Sequence, residues 1–126
     1  MNDSDKKTVL IVDDEQDVRE VLKAALQDAG FATLLASDGE EGLAVALERK
    51  PDVILLDIIM PNMDGWGMFE KLRVDEWGKT AKVLFLTNVG DMDSVSRAIS
   101  QGGQGFLIKA DMKLEDVVKK VEECFV

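Results

Sequence analysis

Three stretches of this chain, Val9-Leu10-Ile11-Val12, Val53-Ile54-Leu55-Leu56 and Val83-Leu84-Phe85-Leu86, are apolar at every position and rich in β-branched residues. A strand with one wet face alternates apolar and polar residues, whereas a strand without alternation is covered on both faces. Such strands belong to parallel sheets, whose crossover helices supply the two covering layers. The middle run carries a puzzle. In Val53-Ile54-Leu55-Leu56-Asp57-Ile58-Ile59-Met60-Pro61 a single acid separates two apolar segments. Burying a lone carboxylate costs on the order of several kcal/mol unless it is paired, metal-bound or placed at an exposed end.

The segments between the runs have helix spacing. A first strand, Thr8 to Val12, ends at Asp13-Asp14. From Glu15 to Ala29 the apolar positions Val18, Val21, Leu22, Ala25, Leu26 and Ala29 line one helix face, and Gly30 is a C-terminal stop. Phe31 to Ala36 is a second strand. Ser37-Asp38-Gly39-Glu40 fits a capping box, and the helix it opens runs to about Lys50, where Pro51 stops it. Asp52 to Leu56 is the third strand, and a helix from Asp64 to about Arg73 follows. After the polar loop Asp75-Glu76-Trp77-Gly78-Lys79 comes a fourth strand, Lys82 to Thr87, then a helix from Asp91 to Gln101 ended by Gly102-Gly103. Gly105 to Lys109 is the fifth strand. Leu114, Val117, Val118, Val121 and Phe125 form the apolar stripe of a last helix. The predicted fold is α/β, a doubly wound flavodoxin-like (βα)5 domain with a five-stranded parallel sheet in the order 2-1-3-4-5. It spans residues 1–126 as one domain, with residues 1–6 as a polar tail and no output domain.

Composition excludes several kinds of chemistry. The 126 residues carry no histidine and a net charge of −10. Without histidine there is no Ser-His-Asp or Cys-His catalysis, no histidine metal site and no phosphohistidine on this chain. An acidic chain makes nucleic acid an unexpected direct partner. The single cysteine, Cys124, excludes an internal disulfide and reads as packing. No apolar run approaches the roughly 20 residues of a membrane span, and the polar N-terminus is unlike a signal peptide, so the cytoplasm is the expected compartment.

In a sheet of this order the site lies at the carboxyl ends of the strands, where strands 1 and 3 meet. Those ends carry Asp13 and Asp14, Asp57, Thr87 and Lys109. Three carboxylates held that close repel one another and raise their own pKa values unless a cation joins them. A hard dication with oxygen ligands is the natural partner, and Mg²⁺ suits one or two carboxylates plus waters and phosphate. A lysine and a hydroxyl beside such a group suit phosphoryl chemistry, and a carboxylate can itself be the nucleophile. Asp57, alone at the end of the central strand, is the candidate.

Val12-Asp13-Asp14, Asp57 with Met60-Pro61 and Asp64-Gly65, Thr87, and Phe106 with Lys109 stand in the order and at the spacing of one family. From about Lys7 to Phe125 the chain resembles a response-regulator receiver domain, as in CheY. The resemblance implies that Asp57 accepts a phosphoryl group from a sensor histidine kinase or a phosphotransfer protein. It implies Mg²⁺ held by Asp14 directly, by Asp13 through water, by Asp57 and by the backbone carbonyl of Ile59. Thr87 and Lys109 are implied to hold phosphoryl oxygens. Thr87 and Phe106 are implied to act as a switch that remodels the surface of helix 4, strand 5 and helix 5 for a downstream target, in a monomer or a phosphorylation-dependent homodimer.

Each residue also has a plain explanation alone: an Asp capping the first helix, a turn acid, a strand threonine, a solvated lysine, a core phenylalanine. Those explanations do not account for the residues sharing one sheet edge. Competing functions lack a needed residue. A phosphohydrolase of aspartyl-phosphate type needs a second acid where Ile59 stands. A flavin carrier needs a Ser/Thr/Gly-rich phosphate loop where Asp13-Asp14-Glu15 stands. A receiver-like scaffold independent of phosphorylation is the alternative that remains. Two positions depart from the family. Ala110 follows Lys109 where the family usually has a cis-proline, which predicts a trans bond and a rearranged loop. Asn88 follows Thr87 where a small residue is usual. With aliphatic Ile59 offering nothing to orient water, this predicts a long-lived phosphoryl form.

Overall fold

The computed structural model describes residues 6–87 and 92–125. Five parallel strands, β1 (Thr8–Val12), β2 (Ala32–Ala36), β3 (Val53–Asp57), β4 (Lys82–Thr87) and β5 (Gly105–Ile108), form one sheet in the order β2-β1-β3-β4-β5. The helices are α1 (Gln16–Asp28), α2 (Gly39–Arg49), α3 (Gly65–Val74), α4 (Met92–Ser100) and α5 (Leu114–Glu123). The doubly wound α/β architecture and the strand order are those expected from the unbroken apolar runs. No helix among the described residues is long and apolar enough to cross a membrane.

The strand residues divide between two cores. Leu10, Val12, Ile54, Leu56 and Phe85 face α2 and α3 and pack with Ala46, Met68, Phe69 and Leu72. Val9, Ile11, Val53, Leu55, Leu84 and Leu86 face α1 and α5 and pack with Leu22, Leu26, Val117 and Val121. Every residue of β3 is buried, Asp57 included. Successive strand side chains point to opposite faces, so the apolar run feeds both cores and leaves only the strand ends for polar work.

Local structure departs from the sequence expectation at a few points. The cap of α2 is Asp38, whose Oδ1 accepts from the Glu41 amide at 2.8 Å, while the Ser37 hydroxyl donates to the Glu41 carboxylate at 3.1 Å. The expected box of Ser37 with Glu40 therefore gives way to a cap by Asp38. Asp38 wins because its other oxygen also accepts from Asn62 Nδ2 at 2.8 Å, tying α2 to the loop after β3. Asp64, expected as the first residue of the third helix, is instead the cap of α3, its Oδ1 accepting from the Gly67 amide at 2.8 Å. Lys109 lies just past β5, in a 3₁₀ turn of residues Lys109–Asp111, and no peptide bond among the described residues is cis. The Lys109–Ala110 bond is thus trans, as expected for a non-proline residue at position 110. Leu114, expected on the apolar stripe of α5, is exposed at the helix start. Asn88 and Asp91 lie outside the described residues.

Candidate functional site

The register brings the polar residues together. Val12 pairs with Leu56 across β1 and β3, so Asp13 and Asp57 each stand one residue beyond that level on neighbouring strands. Asp57 pairs with Leu86, and Thr87 is the next residue of β4. Thr87 pairs with Ile108, immediately before Lys109. Four adjacent strand ends thereby deliver Asp13, Asp57, Thr87 and Lys109 to one edge of the sheet.

Asp13 and Thr87 are buried, and Asp57 is only 4% exposed. One carboxylate oxygen from each of Asp13, Asp14 and Asp57 lies within 4.8 Å of the others, with Asp14 on the solvent side. The Lys109 ammonium reaches back over this edge, 3.0 Å from Asp13 Oδ2, 3.5 Å from Asp57 Oδ2 and 3.3 Å from Glu15 Oε1. The β1–α1 loop is held from two directions. The Glu15 amide donates to Asp13 Oδ1 at 2.9 Å, and the Arg19 guanidinium donates to the Asp13 carbonyl at 2.8 Å.

Burial pushes the Asp57 carboxyl up, and the negative charge of Asp13 adds to it. The Lys109 ammonium offsets part of the rise, leaving Asp57 at about 7. The Lys109 ammonium is penalised by burial, but its close ion pairing with Asp13 and the charge of Asp57 outweigh that and hold it above the usual lysine value. The edge therefore has three acids and one ammonium, an excess of negative charge in a largely buried place. Asp13 Oδ2, though beside Lys109, is buried without a well-aligned hydrogen bond. Clustered hard oxygens, surplus negative charge and an under-satisfied carboxylate oxygen fit a dication with oxygen preference.

The loop after β3 is shaped around Asp57. The Gly65 amide donates to the Ile58 carbonyl at 2.8 Å, and a side chain at Gly65 would collide with the Asp57 carbonyl. Ile59 sits in the bend between them with its side chain 60% exposed. Phe106, opposite Phe85 in the register, is half-buried against the α2/α3 core. It also lines a groove of about 500 Å³ with Met112, Asp116 and Lys119.

Sequence reasoning brought forward Asp13, Asp14, Asp57, Thr87 and Lys109, and the structure assembles them. It missed Glu15, whose contact with Lys109 joins residues 94 positions apart. It also missed Arg73, which donates to the carbonyls of Gly78, Ala81 and Gly102 at 2.7 to 2.9 Å with its guanidinium 4.5 Å from the Phe69 ring. On α4, Arg97 lies 5.5 Å from the Trp66 ring of α3. No local pattern marks these residues, because each acts on a segment distant in sequence.

Known proteins share both sequence and shape with this one. The phosphate regulon transcriptional regulatory protein PhoB of Pseudomonas aeruginosa is 36% identical over 103 residues, covering 82% of this chain and 45% of PhoB. The DNA-binding dual master transcriptional regulator RpaA of Synechocystis is 31% identical over 113 residues, covering 90% of this chain and 46% of RpaA. The chain thus spans less than half the length of these regulators. Among solved structures, the Vibrio cholerae chemotaxis protein CheY4 superposes with a TM-score of 0.86 at 31% identity, over 94% of this chain and 98% of that one. The CheY of a CheX-CheY-BeF3-Mg²⁺ complex from Borrelia burgdorferi gives 0.86 at 29% identity, over 95% and 90%. The family description that matches, over residues 9–122, is the response regulator receiver domain. With its acids and lysine on the sheet edge and relatives of this kind, the chain belongs to the response regulator receiver family.

Proposed function

We propose that this domain is a receiver that accepts a phosphoryl group on Asp57 and uses it to alter a partner-binding surface. The observation that carries the reading is the placement of Asp57 at the buried end of β3, with the Lys109 ammonium 3.5 Å away. An Asp57 oxygen attacks phosphorus, and the bond from phosphorus to the donor's leaving group breaks. The leaving group departs with the electron pair, and an acyl phosphate remains on Asp57. The donor is a phosphohistidine on a sensor histidine kinase or a phosphotransfer protein, since this chain has no histidine of its own.

Asp14 and Asp57 would hold Mg²⁺ directly, Asp13 through water, and the Ile59 carbonyl would complete the protein ligands. When bound, Mg²⁺ supplies charge neutralisation for the phosphoryl oxygens and keeps Asp57 ionised. Lys109 neutralises a further phosphoryl oxygen as a point charge. Thr87, buried at the end of β4, donates its hydroxyl to another. Movement of Thr87 toward the new group frees space that the half-buried Phe106 turns to fill. That changes the surface of α4, β5 and α5, where a target protein or a second copy docks. The domain assists its own phosphorylation and dephosphorylation and has no other turnover. Its seat is the cytoplasm, and we assign no nucleic-acid or membrane contact to this chain.

Acetyl phosphate with and without Mg²⁺, read by intact mass, tests the reading on wild type and Asp57→Ala. One phosphoryl group gained by wild type, only with Mg²⁺, is the expected result. No gain with any phosphodonor would favour a scaffold independent of phosphorylation.

A further inference from the structure

The Lys109 ammonium has three protons and, among the described residues, three carboxylate neighbours, Asp13, Asp57 and Glu15. These neighbours are not equivalent. Asp13 and Asp57 belong to the cluster of acids that fits a dication. Glu15 lies outside that cluster, and its side chain is 62% exposed while that of Lys109 is only 14% exposed. Once the oxygens of Asp13 and Asp57 neutralise a dication, their hold on an ammonium weakens, and the dication itself repels it. Among the described residues, Glu15 is the carboxylate neighbour of Lys109 that stands outside that cluster and keeps its full attraction.

Lysine is a point charge on a flexible four-carbon stem, so it stays at the site only where something holds it. Here its backbone lies in a short 3₁₀ turn after β5. The Glu15 backbone in turn is anchored by its own amide, which donates to Asp13 Oδ1 at 2.9 Å. The loop that positions the acid cluster therefore also positions the carboxylate facing Lys109 from the solvent side.

We propose that Glu15 is a positioning residue for phosphoryl transfer, keeping the Lys109 ammonium at the mouth of the site after Asp13 and Asp57 are neutralised. Glu15 touches neither donor nor phosphoryl group and acts only through Lys109. The role rests on the reading of Asp57 as phosphoacceptor.

The test uses beryllofluoride as a stable phosphoryl mimic, with Mg²⁺ present and binding followed by calorimetry. Glu15→Gln, a neutral residue of the same shape, raises the half-saturating concentration roughly threefold to fivefold, as for loss of one partly exposed ion pair. High salt, which screens the pair, shrinks that difference. In a Lys109→Met background Glu15→Gln has no further effect, because its route of action is gone. The melting temperature of Glu15→Gln in the metal-free state confirms that the variant is folded. Equal affinities for wild type and Glu15→Gln, or the same loss in the Lys109→Met background, would overturn the role of Glu15 and leave Asp57 as phosphoacceptor intact. If the wild type neither binds beryllofluoride nor gains a phosphoryl group, the phosphoacceptor reading and the role of Glu15 fall together.

Discussion

Gly65, the first residue of α3, lies so close to the main-chain carbonyl of Asp57 that a β-carbon there would collide with it, and its amide donates to the next carbonyl, Ile58, at 2.8 Å. The helix start and the end of β3 are thus one packed unit. A glycine is needed for close approach rather than for an unusual backbone angle. Gly65→Ala is expected to cost about 2–3 kcal/mol through forced backbone shifts. It should also slow phosphorylation of the protein that remains folded, because the carbonyl that moves belongs to the proposed phosphoacceptor. Urea unfolding and intact mass after acetyl phosphate treatment measure the two effects. A fully stable, fully reactive variant would show that the packing does not position Asp57.

The charge state of Asp57 makes stability depend on pH. Burial and the neighbouring Asp13 push its carboxyl up to about 7 in the metal-free folded protein, above the ordinary aspartate value of about 3.9. The folded state therefore binds more protons than the unfolded state between those values, and the slope of unfolding free energy with pH is negative there. Stability from this group is fully present below about pH 4 and is lost as pH rises through about 7. Asp57→Asn removes the penalty, so it should raise the melting temperature by several degrees at pH 8 and by much less at pH 5. Thermal melts in the absence of divalent ions check this, and an equal gain at both pH values would contradict it.

Arg73 joins the end of α3 to the chain on either side of β4. Arg73→Met keeps an apolar stem over Phe69 but removes the donors to the Gly78, Ala81 and Gly102 carbonyls. A loss of about 2–3 kcal/mol is expected. Because Gly102 directly follows the α4 segment, faster amide exchange in β4 and at the start of β5 should accompany it. Unchanged exchange there would show that Arg73 does not brace this edge.

Ile59 faces solvent beside the site with an aliphatic side chain that cannot orient water. The phosphoryl form should therefore persist for minutes or longer, and Ile59→Asn should shorten its lifetime several-fold. Phosphoprotein decay followed by intact mass tests this. Hydrolysis within seconds in the wild type would refute it.

The five strands and the acid edge could be read from the sequence because their causes are local. Double-sided burial forces Val53 to Leu56 to be apolar throughout, and the first polar residue after such a run necessarily falls at the strand end. That single rule placed Asp13 and Asp57, and parallel topology then made them neighbours. Residues whose roles depend on packing could not be found that way. Ser37 and Asp38 are both good caps, and the contact that favours Asp38 comes from Asn62, 24 residues away. Leu114 fits the helix stripe yet, as the first residue of α5, stays exposed at the edge of a shallow groove it shares with Val21 and Ala25 of α1. Glu15 reads as an ordinary first-turn acid until Lys109 arrives from β5.

The central claim concerns one bond, an acyl phosphate on Asp57. Borohydride reduction converts an acyl phosphate of aspartate to homoserine, which peptide mass spectrometry locates in the sequence. After treatment with acetyl phosphate and Mg²⁺, homoserine is expected at position 57 and at no other aspartate, and it should be absent when Mg²⁺ is withheld. Homoserine at Asp13 or Asp14, or none anywhere despite a folded protein, would contradict the account.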